Sequence, residues 1–238
     1  MAEKVTIGNC TLYHGDCREI LPTLAPCDLI LTDPPYGISY DSSHTKYKNG
    51  VVRDACGWDI DPFNPEILMG HKKTIIWGGN CFSSKLPDRT GWLSWVKINQ
   101  NGTKIRQAEM ELAWTNFITR SQSFRWNWIG AGMEGEGNAV YGGLVHPTQK
   151  PVALMEWCLS LSPESTTVYD PFMGSGTTGV ACVNLGKAFT GIERERKYFD
   201  IACDRIAWAI AQPRLFDEEK VCAGETALQG DMLFPANA

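Results

Sequence analysis

The stretch from Val168 to Glu193 constrains the fold more than any other. Val168-Tyr169-Asp170-Pro171-Phe172 is a short apolar strand, and it opens into Met173-Gly174-Ser175-Gly176-Thr177-Thr178-Gly179. A helical run, Val180 to Leu185, follows with Gly186 as its C-terminal cap, and Ala188 to Ile192 forms a second strand that ends at Glu193. Strand, glycine turn, helix, strand and terminal acid, in that order, make a βαβ unit of the nucleoside-binding kind. The glycines let backbone approach a ligand, and the acid can accept from both ribose hydroxyls.

Glycine spacing alone also describes dinucleotide folds. Asp170 separates the two readings. A carboxylate just before the glycine turn favours an ammonium and repels a pyrophosphate, which suits S-adenosylmethionine and disfavours NAD.

A second apolar run, Asp28-Leu29-Ile30-Leu31-Thr32, is closed by Asp33-Pro34-Pro35-Tyr36. It reads as a buried strand of a parallel sheet, with the prolines holding an acid, two carbonyls and an aromatic ring at its carboxyl end. Ligands of open α/β sheets bind at that edge. A carboxylate with neighbouring carbonyls can accept both hydrogens of an exocyclic amine, and a tyrosine ring can stack on a planar base. The bland alternative is a strand-to-turn junction with a surface acid.

The remaining pattern fits an α/β protein. Val5 to Ile7 and Cys10 to Tyr13 form a hairpin through Gly8-Asn9, and Asp16 caps a short helix. Pro62 to Met69 reads as a helix, Thr74 to Trp77 as a strand, and Pro151 to Leu161 as a helix with proline in its first turn. Trp92 to Val96 and Met110 to Trp114 form a hairpin that supplies an antiparallel edge. Residues 117–145 show no sustained period, 37–61 are polar and long for a loop, and 213–238 form a polar tail.

Composition excludes several classes. Hydrophobic residues at 43% and charged residues at 21% supply a core and rule out a disordered chain. Nine cysteines without a C-x-x-C pair give no zinc ribbon, and Cys158, Cys182 and Cys203 read as small buried residues. The apolar signal of a leader or a membrane span is missing, so the expectation is a cytoplasmic protein. A net charge of −5 argues against a DNA-coating protein but allows a local basic cleft. The basic runs His44 to Lys48 and Lys97 to Arg106 read as solvated loops before phosphate tracks.

Together the motifs resemble those of the β-group DNA amino-methyltransferases. DPFMGSGTTG looks like their motif I, HPTQKP (His146 to Pro151) like motif X, and DPPY like motif IV. Glu193 matches motif II and Gly15-Asp16-Cys17 matches motif III, and motif IV precedes motif I. The resemblance implies a Rossmann-like, mostly parallel twisted sheet with helices on both faces. It implies one circularly permuted domain over 1–212, with a small target-recognition insertion at about 117–145 and a mobile loop at about 37–61.

The implied activity is transfer of a methyl group from S-adenosylmethionine to N6 of a flipped-out adenine in duplex DNA, without a metal. DPPY is usual for the adenine members, whereas N4-cytosine members more often carry Ser first. Catalysis would fall to Asp33, Pro34, Pro35 and Tyr36. Asp16 and Cys17 would lie by the cofactor's adenine and Glu193 by its ribose. Asp170, Phe172, Gly174, Ser175, Gly176 and Thr177 would face its methionine part, and His146, Thr148 and Lys150 its carboxylate, with Asp33 bordering the reacting methyl. His146 could equally be a capping residue and Lys150 a surface lysine. Arg120, Arg125, Trp126 and Trp128 suit phosphate contact and base stacking, or the tryptophans serve a core or a dimer interface. Homodimers and restriction–modification systems are common in enzymes of this group. The rivals are an N4-cytosine enzyme, an RNA or protein amino-methyltransferase, a dehydrogenase and a non-catalytic nucleic-acid module.

Overall fold

The computed structural model describes residues 2–37, 63–98, 108–127 and 149–212. Its strands are β1 (Glu3–Ile7), β2 (Cys10–His14), β3 (Leu29–Thr32), β4 (Thr74–Trp77), β5 (Trp92–Ile98), β6 (Met110–Thr115), β7 (Gln122–Asn127), β8 (Thr167–Asp170) and β9 (Ala188–Glu193). Its α-helices are α1 (Cys17–Ile20), α2 (Val152–Ser160), α3 (Thr177–Asn184) and α4 (Arg196–Ala211).

The strands form one sheet in the order β1-β2-β9-β8-β3-β4-β6-β5-β7. From β2 to β4 the neighbours are parallel, and β6 runs against both β4 and β5. The expected antiparallel hairpin is present, but it does not form the edge. Gln122–Asn127 adds to β5 as a parallel outer strand, within a region expected to lack regular structure. Only Phe124 and Trp126 alternate there with polar residues, too short a pattern to read as a strand.

Period-two alternation sorts the core onto the two faces. Leu29, Leu31, Ile75 and Trp77 point to the face covered by α2, α3 and α4. Ile30 and Ile76 point to the other, with Cys17 and Ile20 of α1 and with Leu68 and Phe82. Each fully buried aliphatic side chain of this kind contributes about 1.5–3 kcal/mol. The second face is covered largely by 3-10 turns. The expected helix at Pro62 to Met69 is such a turn, Pro65–Leu68, entered through a cap in which Asn64 accepts from the Glu66 N–H. Among the described residues no helix is long and apolar enough to cross a membrane.

The chain leaves β8 for β9 through α3 on one face and leaves β3 for β4 on the other. The neighbouring carboxyl ends of β3 and β8 are therefore the switch point where doubly wound sheets bind ligands. Asp33 follows one strand and Asp170 closes the other.

Candidate active site

The two strand ends are tied together. The Thr32 hydroxyl donates to Asp170 Oδ1 at 2.7 Å, the Thr178 hydroxyl to Oδ2 at 2.6 Å, and the Phe172 N–H to Oδ1 at 3.1 Å. Burial pushes the Asp170 carboxyl up to about 6, against the pull of those donors. Asp170, expected to face a ligand ammonium, is 3% exposed. Its contacts hold the glycine turn onto β3.

The turn shows one side outward. Phe172 and Gly174 are half-buried, while Ser175, Gly176 and Thr177 are buried. Gly176 has φ +80°, and a Cβ there would come within 2.9 Å of Ala202 Cβ, so the turn can lie against α4 only with glycine. Arg205 of α4 holds the turn from behind, donating to the Ser175 carbonyl (2.8 Å), its hydroxyl (2.9 Å) and the Thr177 hydroxyl (3.2 Å). The side chains of Ser175 and Thr177 and the Ser175 carbonyl are thus turned toward α4, which leaves Phe172 and Gly174 as the outward part of the turn. Arg205 has no motif to announce it, since it is one cation in a sixteen-residue helix.

At the end of β9, Glu193 accepts from the Gly174 N–H at 3.0 Å and the Glu195 N–H at 2.7 Å. Its carbonyl accepts from the Gly15 N–H at 2.9 Å, which brings Asp16 and Cys17 to the same edge. Asp16 caps α1 and pairs with Arg18, and that guanidinium lowers its pKa. Cys17 is buried, and its thiol is pushed up to about 12, so it serves as a small apolar wall. Burial also pushes Glu193 up to about 7. If Glu193 holds the cofactor's ribose, as its motif implies, the carboxylate is the better acceptor for two hydroxyls, and cofactor affinity should rise as pH increases through about 7. Titration calorimetry should show this rise, and Glu193→Gln should flatten it.

The catalytic turn is denser than its motif suggests. Lys150, just before α2, places its ammonium 2.5 Å from Asp33 Oδ2, 3.0 Å from Glu111 Oε2 and 3.2 Å from the Tyr36 hydroxyl. The Tyr36 hydroxyl donates to Asp33 Oδ1 at 2.6 Å. Glu111 Oε1 holds Lys97 at 2.6 Å. Burial raises the Asp33 pKa, with Lys150 opposing it. Burial also disfavours charge on Glu111, but Lys150 and Lys97 outweigh it and hold that carboxyl at about 2.

Lys150, expected at the cofactor's carboxylate or on the surface, is buried and pairs with Asp33. Lys97, expected in a solvated basic run, is 7% exposed and paired. Glu111 was not singled out, although a Lys and a Glu on two strands of one hairpin hint at such a pair. His146, Thr148 and Trp128, the loop at 37–61 beyond Gly37 and the tail at 213–238 lie outside the described residues, as does most of the 117–145 insertion. Trp126 stacks on Phe124 at 5.6 Å, and Phe124 on Trp157 of α2 at 5.4 Å, which gives Trp126 a packing role. Arg120 and Arg125 are exposed.

The Tyr36 ring lies against Gly78, whose φ is +71° and where a Cβ would fall 2.0 Å from Tyr36 Cε1. Gly78→Ala should therefore cost about 1–3 kcal/mol in backbone strain alone. It should also push the ring off Asp33, so a lower urea midpoint together with lost methyl transfer is expected.

Comparison with known proteins agrees with this geometry. A family model described as DNA methylase, of the N6/N4 type, matches residues 94–204. Type II methyltransferase M2.LlaDCHI of Lactococcus lactis subsp. cremoris is 35% identical, over 83% of this chain and 89% of its own. Type II methyltransferase M.HinfI of Haemophilus influenzae is 28% identical, over 82% of this chain and 68% of its own. The structure of the PvuII DNA methyltransferase, cytosine-N4-specific, superposes with a TM-score of 0.54 at 15% identity, covering 92% of each chain, a likeness of fold.

Proposed function

We propose, for a chain that belongs to the S-adenosylmethionine-dependent DNA amino-methyltransferases of the N6/N4 type, that the base it methylates is adenine, at N6, in double-stranded DNA. The observation that carries the reading is Asp33. It stands as a carboxylate, not a serine hydroxyl, at the head of the DPPY turn, held by Lys150 and Tyr36.

The site suits the cofactor by its donor set. Asp16 and Glu193 stand at the open edge of the glycine turn, Asp170 is buried beneath it, and Arg205 is committed to the turn from behind. Such surroundings favour an ammonium and a ribose and repel a pyrophosphate. Glu193 would hold the ribose, the outward backbone of Phe172 to Gly174 the methionine part, and Asp16 and Cys17 the adenine end. When bound, S-adenosylmethionine supplies an electrophilic methyl on a sulfonium.

The protein's own part is positioning and electrostatics. The adenine must leave the stack, because N6 in a duplex cannot reach a methyl donor at the sheet edge. The Asp33 carboxylate and the Pro34 carbonyl accept the two N6 hydrogens, which draws the nitrogen lone pair out of conjugation. Tyr36 stacks on the base. On taking the methyl from the sulfonium, N6 would carry two protons, of which one would pass to Asp33 or water and one would stay in the product. Accepting at a fixed, desolvated carboxylate puts the electrostatic gain where charge develops.

The test is to methylate unmethylated genomic DNA with labelled cofactor and to digest the product to nucleosides. Label in N6-methyl-2′-deoxyadenosine supports the reading. Label in N4-methyl-2′-deoxycytidine overturns the base assignment, and label confined to RNA or protein offered in parallel overturns the DNA target.

A further inference from the structure

The Lys150 ammonium has three hydrogens and three partners, and two of those partners are carboxylates, Asp33 in the turn after β3 and Glu111 on β6. Lys150 is 6% exposed, so water does not dilute the competition. Glu111 is held at both oxygens, by Lys97 on one and Lys150 on the other. The result is a line of alternating charge, Lys97, Glu111, Lys150, Asp33, that runs from β5 through β6 to the catalytic turn. The two carboxylates keep similar exposure, 21% for Asp33 and 20% for Glu111, but Asp33 lies at the carboxyl end of β3, where the sheet binds ligands.

We propose that Glu111 is a positioning residue for methyl transfer, sharing the Lys150 ammonium so that Asp33 stays fixed yet keeps acceptor strength for the base amine. An ammonium shared between two carboxylates orients Asp33 without neutralising it. With Glu111 uncharged, Lys150 belongs to Asp33 alone, and the carboxylate becomes a poorer acceptor for incoming N–H groups. This rests on Asp33 being the amine acceptor and holds for adenine or cytosine alike.

Glu111→Gln keeps the shape and removes the charge. The ionisable groups around Asp33 are Lys150 before α2, Glu111 on β6, Tyr36 of the same turn and Asp170 of β8, with Lys97 of β5 behind Glu111. Loss of the Glu111 charge lowers the Asp33 pKa. The acid limb of the kcat profile should therefore move down by about one pH unit, while kcat at its plateau falls about tenfold or more and cofactor KM is unchanged. Lys97→Met is the counterpart. Glu111 then holds Lys150 more strongly, Asp33 loses part of its ammonium, and the acid limb should move up.

A merely structural role lowers the active fraction and leaves both limbs in place. Unmoved limbs, or a fall in kcat that tracks loss of cofactor binding, would overturn the proposal. Asp33→Asn, run alongside, separates the two levels. If it retains activity, the amine-acceptor reading fails. If it is inactive while Glu111→Gln behaves as wild type, only the role of Glu111 fails.

Discussion

Replacing Lys150 by methionine is expected to lower stability by about 3–5 kcal/mol at neutral pH. Methionine fills the space of the lysine stem but leaves Asp33 and Glu111 without the cation between them. Lys97 still pairs with Glu111, so the uncompensated charge falls on Asp33. The pH dependence follows from that. Burial already raises the Asp33 pKa, and removal of Lys150 raises it further above the unfolded value. A group raised in the folded state contributes stability below its unfolded pKa and loses it as pH rises through the folded one. The variant should therefore come closest to wild type in mild acid and fall away toward neutrality. Urea unfolding at a series of pH values measures this, and a uniform deficit would show that lost packing dominates.

The other large effect is on catalysis. Asp33→Asn should reduce kcat by about 10²–10³-fold or more, with cofactor affinity changed by no more than a small factor. Asparagine preserves the volume but replaces one acceptor oxygen with an N–H₂ donor. That donor faces either the Lys150 ammonium or the Tyr36 hydroxyl, both of which donate to Asp33 in the wild-type protein. Calorimetry for the cofactor and single-turnover transfer for the chemistry separate binding from reaction. Parallel losses in both would mean that Asp33 shapes the cofactor site and not the step.

Both arguments concern a cluster that sequence reading brought only half into view. Asp33 and Tyr36 were legible because prolines stop β3 at a defined point, and strand ends of parallel sheets carry sites. Glu193 and the glycine turn were legible for the same local reason. Glu111 and Lys97 were not, because their meeting with Lys150 depends on β6 pairing with β4, a choice of sheet order that no local pattern dictates. The motif marks Lys150 but does not show its pairing with Asp33 and Glu111. Ser175 shows the converse. Its place in a glycine motif suggested a ligand contact, but Arg205 of α4, thirty residues away, claims its hydroxyl. The strand β7 escaped because two aromatic residues are too few to establish a period.

At the point where the two halves of the sheet turn opposite ways, Asp33 shares the Lys150 ammonium with Glu111, and the proposed function makes Asp33 the acceptor of the base amine. A crystal structure of the protein with a non-reactive cofactor analogue and a duplex carrying its methylation site tests that account most directly. The account predicts an adenine outside the stack, its N6 within hydrogen-bond distance of the Asp33 carboxylate and the Pro34 carbonyl, and Lys150 still joined to Glu111. A target amine directed away from Asp33, with Tyr36 and Lys150 still closed over that carboxylate, would contradict it.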